Sequence, residues 1–170
     1  MTEVRILGVD PGSRYTGWGV IDQVGSRLVW VASGRIEAHK SGELPARLVA
    51  IFAELGQIIG QHRPTEAALE KVFVSVNGQA TLVLGQARGV ALLGLSQAGL
   101  AVEEYAPNEV KSAVVGQGKA QKEQVTAMVQ VILALQGKKL TEDEADALAV
   151  AICHANSRAY RSRAQLREAK

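Results

Sequence analysis

The stretch RILGVDPGSRYTGWGVI, residues 5–21, decides the fold. Its first half is a short apolar run that stops at Pro11 and Gly12, a pattern typical of a strand buried on both faces of a sheet. The run ends on Asp10, and a carboxylate without a partner is costly to bury. We therefore interpret Asp10 as a functional residue, the alternative being an Asx-turn to the backbone of Gly12. Glycines 12, 17 and 19 are predicted to let the chain turn and return as a second strand.

The composition predicts one globular domain of 170 residues, 47% of them hydrophobic and 21% charged. The sequence has no apolar run of about 18 residues and no signal-peptide pattern, so we expect a cytoplasmic protein. A single cysteine excludes a disulfide framework and a thiolate zinc site. We place the domain at residues 1–157 and a basic tail, which could be disordered, at 158–170. Such a tail suits either a polyanionic partner or solubility.

Strands and helices are predicted to alternate along the chain. Strands are expected at 4–10, 17–24, 27–36, 67–70 and 101–105, and helices at 43–62, 78–98, from Pro107, at about 121–136 and at 140–152. A strand, a crossover helix and a further strand form a right-handed unit with parallel strands. The strands that end at Asp10 and Glu70 should therefore reach the same edge of the sheet, where ligands of α/β proteins commonly bind.

The predicted helix at 140–152 contributes two more acids. Thr141 and Glu144 form a capping box, and Asp143 and Asp146, three residues apart, share a face. Acids in a first turn also interact favourably with the helix dipole, and this interpretation is sufficient for Glu142 and Glu144. Because the face of Asp143 and Asp146 continues with apolar residues, we expect these two carboxylates to point into a site.

Four carboxylates at one edge would repel one another, and a hard divalent cation relieves that repulsion. We therefore predict a Mg²⁺ site, with two ions per subunit and Mn²⁺ as a substitute. Two ions about 4 Å apart suit an in-line phosphodiester displacement. The predicted metal ligands, which are also the predicted catalytic residues, are Asp10, Glu70, Asp143 and Asp146. His154 is interpreted as a structural histidine.

Basic residues and glycines suggest two further surfaces. Lys111, Lys119 and Lys122 lie in one loop-rich segment and could contact phosphates, the alternative being a solvated lysine surface. In the helix at 78–98, Gly85 and Gly89 lie on one face and each costs about 1 kcal/mol relative to alanine. Because that helix is apolar nearly all round, it is either central to the core or at a subunit interface.

Five blocks, at residues 8–20, 70–73, 84–90, 110–116 and 143–149, resemble the RuvC family of bacterial Holliday-junction resolvases. The resemblance runs in register from about residue 4 to 155. It implies an α/β, RNase H-like fold, a five-stranded mixed sheet flanked by helices on both faces. It also implies a homodimer that uses magnesium to make paired symmetric nicks in four-way DNA junctions during recombination and repair. A branch-migration motor formed by RuvA and RuvB is an implied partner.

The resemblance also implies roles for individual residues. The four acids match the catalytic acids of the family, and Phe73 matches an aromatic residue that wedges against bases. Residues that match DNA-backbone contacts are Lys111 and Lys122, and those that match the dimer interface are Gly85 and Gly89. Two alternatives stay open: an RNase H-like nuclease on another nucleic acid, and a junction-binding module that does not cleave. Phe73 and the dimer helix argue against the first alternative, and the full set of acids argues against the second.

Overall fold

The computed structural model describes residues 3–72 and 76–168, with side chains described as far as residue 160. The strands are β1 (Glu3–Asp10), β2 (Thr16–Val24), β3 (Arg27–Ile36), β4 (Glu66–Glu70) and β5 (Ala101–Tyr105). The helices are α1 (Leu44–His62), α2 (Gly78–Gln97), α3 (Pro107–Val115), α4 (Lys122–Ile132) and α5 (Glu142–Glu168), with a short 3₁₀ helix at Ala38–Ser41. The order agrees with the sequence-based prediction.

The described strands form one mixed sheet in the order β3-β2-β1-β4-β5. The first three strands pair antiparallel, whereas β1 with β4 and β4 with β5 pair parallel. The predicted five-stranded mixed sheet and the parallel orientation of β1 and β4 are confirmed. Because Val9 pairs with Leu69, the next residues, Asp10 and Glu70, leave the sheet side by side.

Helices cover both faces of the sheet. Along β1, Ile6 belongs to the core beneath α3, α4 and α5, and Leu7 belongs to the core beneath α1 and α2. This alternation follows from the two-residue period of a strand. It explains why β1 is apolar at successive positions, as a strand buried on both faces must be.

Glycines bring α5 directly onto the backbone of β1 and β2. A Cβ atom added at Gly8 would lie 2.1 Å from the carbonyl oxygen of Ala147. A Cβ atom added at Gly17 would lie 2.0 Å from the carbonyl oxygen of Asp143. At Gly19 it would lie 2.5 Å from a methyl carbon of Leu148. The prediction that residues 17 and 19 serve the turn is therefore wrong, since both lie inside β2 and make room for a helix.

The turn between β1 and β2 is closed by Thr16. The Gly12 amide donates to Thr16 Oγ1 at 3.3 Å, and the Thr16 hydroxyl donates to the Gly12 carbonyl at 2.9 Å. The Gly12 amide thus bonds to a residue other than Asp10, which argues against the Asx-turn interpretation. The Asp10 carboxylate is left to the edge of the sheet.

Helix α5 continues beyond the expected end of the domain. It reaches Glu168, so residues 158–168 are helical where the sequence allowed a disordered tail. Arg158 Nε lies 2.8 and 3.0 Å from the two carboxylate oxygens of Glu66 on β4. This ion pair holds α5 against the sheet beyond residue 157. The domain boundary at residue 157 stays a prediction. Among the described helices, none is long and apolar enough to cross a membrane.

Candidate active site

The four predicted acids meet at the carboxyl edge of β1 and β4. Asp10 ends β1 and Glu70 ends β4. The close contact between Gly17 and the Asp143 backbone sets the start of α5 against β2, which is paired with β1. Burial raises the pKa of Asp10 to about 8, and the negative charges of the other three acids add to the effect.

Glu70 and Asp146 experience the same environment. Burial raises the pKa of each carboxyl above its usual range, and a neighbouring acid adds to the rise in both cases. The positive charges of Lys111 and Lys122 act in the opposite direction. The site is therefore a pocket of negative charge that the lysines only partly offset, and a bound cation would relieve the repulsion.

Two cationic side chains of the protein approach the acids of α5. Lys122 Nζ lies 3.4 Å from Asp146 Oδ2 and also pairs with Glu142. Arg35 Nη1 on β3 lies 3.7 Å from Asp143 Oδ2. The sequence predicts a role for Lys122 but not for Arg35, whose only signal is its position near the end of a predicted strand.

A cavity of about 300 Å³ adjoins the acids. Its lining includes Glu70, Asp146, Lys111 and Lys122, with apolar residues of α3, α4 and α5 behind them. Two of the three predicted lysines therefore border the acids. Lys119 is exposed and is not among the lining residues, so the structure does not bring it to the cluster.

The acids have the donor chemistry of a divalent-cation site, since carboxylate oxygens are the hard ligands that Mg²⁺ prefers. Within residues 3–72 and 76–160, whose side chains are described, however, no three His, Cys, Asp or Glu side chains are grouped so that they could hold a metal ion. Asp143 and Asp146 instead pair with Arg35 and Lys122. The donor types therefore fit a divalent metal, and two of the four carboxylates have cationic partners in the structure.

The first turn of α5 is fixed by the predicted capping box. The Thr141 amide donates to Glu144 Oε2 at 2.9 Å, and the Glu144 amide donates to Thr141 Oγ1 at 3.3 Å. Ser33 Oγ on β3 also donates to Glu144 Oε1, at 3.2 Å. Glu144 therefore has the structural role that the sequence predicted, and it holds the helix start that carries Asp143.

His154 is confirmed as a structural residue. It is buried, with Nδ1 2.9 Å from the Tyr105 hydroxyl and Nε2 2.7 Å from Glu66 Oε2. The imidazole thus links α5 to β4 and β5. Phe73, the predicted wedge, lies outside the described residues.

The glycines of α2 face open space. A Cβ atom at Gly85 or Gly89 would meet nothing within 4 Å, and both residues are exposed. Leu82 and Leu93 on the same helix are 68% and 58% exposed. Of the two interpretations of this helix, a central core position does not hold for the face that carries these residues.

The family model described as crossover junction endodeoxyribonuclease RuvC matches residues 6–154. The chain belongs to the RuvC family. A relative of that name from Afipia carboxidovorans is 52% identical over 155 residues, which span 91% of this chain and 90% of the relative. A RuvC relative from Janthinobacterium is 54% identical over 154 residues, 91% of this chain and 84% of its own.

Solved structures agree with this assignment. The structure of T. thermophilus RuvC in complex with Holliday junction substrate matches with a TM-score of 0.86 and 30% identity, over 92% of this chain and 96% of the other. As a RuvC family member, the chain is a crossover junction endodeoxyribonuclease with an RNase H-like fold, as the sequence predicted. The two alternative functions are set aside.

Proposed function

We propose that this chain resolves four-way DNA junctions by magnesium-dependent hydrolysis at the acid cluster, as a homodimer that nicks two strands symmetrically in the cytoplasm. The observation that carries the proposal is the meeting of four carboxylates at one edge of the sheet, where burial and the three neighbouring acids raise the pKa of Asp10 to about 8. Such a concentration of buried negative charge is costly to the fold and is typical of a functional site.

The metal ligands in this proposal are Asp10, Glu70, Asp143 and Asp146. When bound, two Mg²⁺ ions, or Mn²⁺ in their place, would activate the attacking water and stabilise the leaving oxygen. The chain itself supplies the geometry. The β1–β4 pairing fixes the relative positions of Asp10 and Glu70, and the glycine contacts of α5 fix the start of the helix that carries the other two acids.

Lys111 and Lys122 are proposed to bind the phosphates of the strand that enters the site. Both line the cavity beside Glu70 and Asp146, and lysine binds phosphate as a compact point charge. Lys119 stays a predicted phosphate contact from the segment before α4. Phe73, three residues after Glu70 in sequence, stays the predicted aromatic wedge at the junction.

The exposed face of α2 is the proposed dimer interface. Leu82 and Leu93 expose apolar surface there, and Gly85 and Gly89 leave room for a close approach of a second subunit. A dimer would present two acid clusters to one junction, which suits paired nicks. Cooperation with RuvA and RuvB is proposed from the family resemblance.

A cleavage assay with Mg²⁺ on a four-way junction, a linear duplex and an RNA–DNA hybrid tests the proposal. We expect paired nicks at symmetric positions in the junction alone, and none in EDTA. Asp10→Asn should abolish cutting and keep junction binding. Asp22→Asn is the matched control, because Asp22 on β2 pairs with Arg5 and should leave cutting intact. Cutting of the hybrid, or retained cutting by Asp10→Asn, would refute the proposal.

A further inference from the structure

Arg35 lies at the edge of the sheet that carries the acids, on the opposite side from the lysines. On β3 it pairs with Gly17 of β2, and Gly17 pairs with Asp10 of β1. Since adjacent strands are about 4.8 Å apart, the Arg35 backbone is about 10 Å from that of Asp10. The site therefore has Lys122 of α4 on one side and Arg35 on the other.

The Arg35 side chain rests on an aromatic ring. Its guanidinium carbon lies 4.2 Å from the centre of the Tyr15 ring, and that ring packs against His39 at 4.7 Å between ring centres. Arg35 Nη2 donates to Glu37 Oε1 at 3.3 Å. In the described part of the chain this is its one hydrogen bond, although a guanidinium has five N–H donors.

The contact with Asp143 is weak for an ion pair. At 3.7 Å it is longer than a hydrogen bond, and a third of the Arg35 side chain is exposed. Exposed pairs of this kind contribute little to stability. A structural role thus accounts poorly for an arginine that is held by a ring, beside the acids, with donors to spare.

We propose that Arg35 is a DNA-phosphate contact of the active site, held in place by the Tyr15 ring. The planar guanidinium matches a phosphate bidentately. Arg35 would contact the strand in the site from the side of the acids opposite Lys122. This inference deepens the proposed function and rests on it, because it takes the acid cluster as the place where DNA enters.

The test is the salt dependence of junction binding by the full chain. Affinity for a fluorescent four-way junction is measured by anisotropy in EDTA, where no cutting occurs, at salt concentrations from 50 to 200 mM. Each phosphate contact contributes about 0.9 to the slope of log K against log salt. Arg35→Ala and Arg35→Gln should lower that slope by about 0.9 for each subunit that binds. For one contact, the ratio of the wild-type affinity to the variant affinity should decrease about 3.5-fold between 50 and 200 mM salt.

The controls separate a local contact from a general charge effect. Arg27 is an exposed arginine at the other end of β3, about 26 Å away at roughly 3.3 Å per residue. Arg27→Ala removes the same charge and should leave the slope unchanged. Arg35→Lys should keep the slope. Tyr15→Phe should bind like the wild type, whereas Tyr15→Leu should weaken binding because the ring is lost.

Two results would overturn the inference. An unchanged slope in both folded Arg35 variants would exclude the phosphate contact, even if cutting falls, and would assign Arg35 to Asp143 alone. An equal loss of slope in Arg27→Ala would reduce the effect to net charge. The proposed function fails separately: a wild-type chain that binds the junction and does not cut it with Mg²⁺ refutes hydrolysis, while the slopes still decide the role of Arg35.

Discussion

Removing the charge of Asp10 should change how the stability of the metal-free protein depends on pH. Burial and neighbouring acids raise the pKa of Asp10 to about 8 from its ordinary value of 3.8. Between these pH values the folded state keeps a proton that the unfolded state has lost. The folded state then binds more protons, so its stability decreases as the pH rises towards 8 and levels off above it.

The size of the effect follows from the shift. Each pH unit in this window changes the free energy of unfolding by about 1.4 kcal/mol for a group that is protonated in the folded state and ionised in the unfolded state. Between pH 5 and 8 the free energy of unfolding of the wild type should therefore decrease by up to about 4 kcal/mol. Asp10→Asn should not show this decrease, because the asparagine does not titrate. This value is an upper limit, because water reaches the half-buried carboxylate and screens its charge.

Urea unfolding of both proteins in EDTA at pH 5, 6, 7 and 8 measures the difference. The control is Asp22→Asn. A hydrogen bond from Arg5 is the main cause that lowers the pKa of Asp22, so its contribution is fully present above the unfolded pKa and is lost only as the pH falls below it. The difference between Asp22→Asn and the wild type should therefore stay constant from pH 5 to 8.

A parallel change in the free energies of unfolding of the wild type and Asp10→Asn over this range would refute the raised pKa of Asp10. A second arm adds Mg²⁺ at pH 8. A cation held by the acids should restore stability to the wild type, by about 2.7 kcal/mol at a hundredfold excess over Kd. Asp10→Asn should gain less. Equal gains in the two proteins would remove Asp10 from the metal site.

Three further changes test the helix contacts and the predicted surfaces. Gly17→Ala should lower the free energy of unfolding by about 1–3 kcal/mol because its Cβ collides with α5; Gly56→Ala in α1, with open space around it, should raise it by roughly 0.5–1 kcal/mol. A loss at both positions in urea titrations would contradict this. Gly85→Glu should give monomers in sedimentation velocity and Gly56→Glu should not; an unchanged dimer in the first would exclude α2 from the interface. Phe73→Ala should impair junction cutting far more than the melting temperature, and a large drop in melting temperature would make Phe73 a core residue.

The placement of the acids could be predicted because it depends on connectivity and period. A strand, a crossover helix and a strand bring Asp10 and Glu70 to one edge whatever the packing details. The three-residue spacing of Asp143 and Asp146 puts them on one helix face. Neither inference needs the exact register of any strand pair.

Arg35 could not be predicted, because its neighbours depend on register. The β2–β3 pairing shifts between Val20 and Ile21, at a β-bulge. An extra residue in one strand changes every later pairing, and the hairpin sequence does not reveal it. The prediction for the glycines of β2 was wrong for a related reason. A glycine pattern does not distinguish a turn from a position where another backbone approaches closely.

The docking of α5 on bare main chain has a consequence for how this enzyme tolerates sequence change. At Gly8 and Gly17 the helix meets backbone atoms, which are the same whatever the surrounding side chains are. Core residues elsewhere can then be substituted without altering the distance between the acids of the helix and those of the sheet. A methyl group at either glycine would push α5 away from the sheet. Gly8→Ala and Gly17→Ala would therefore widen the distance between the two sets of acids from two different points along the helix.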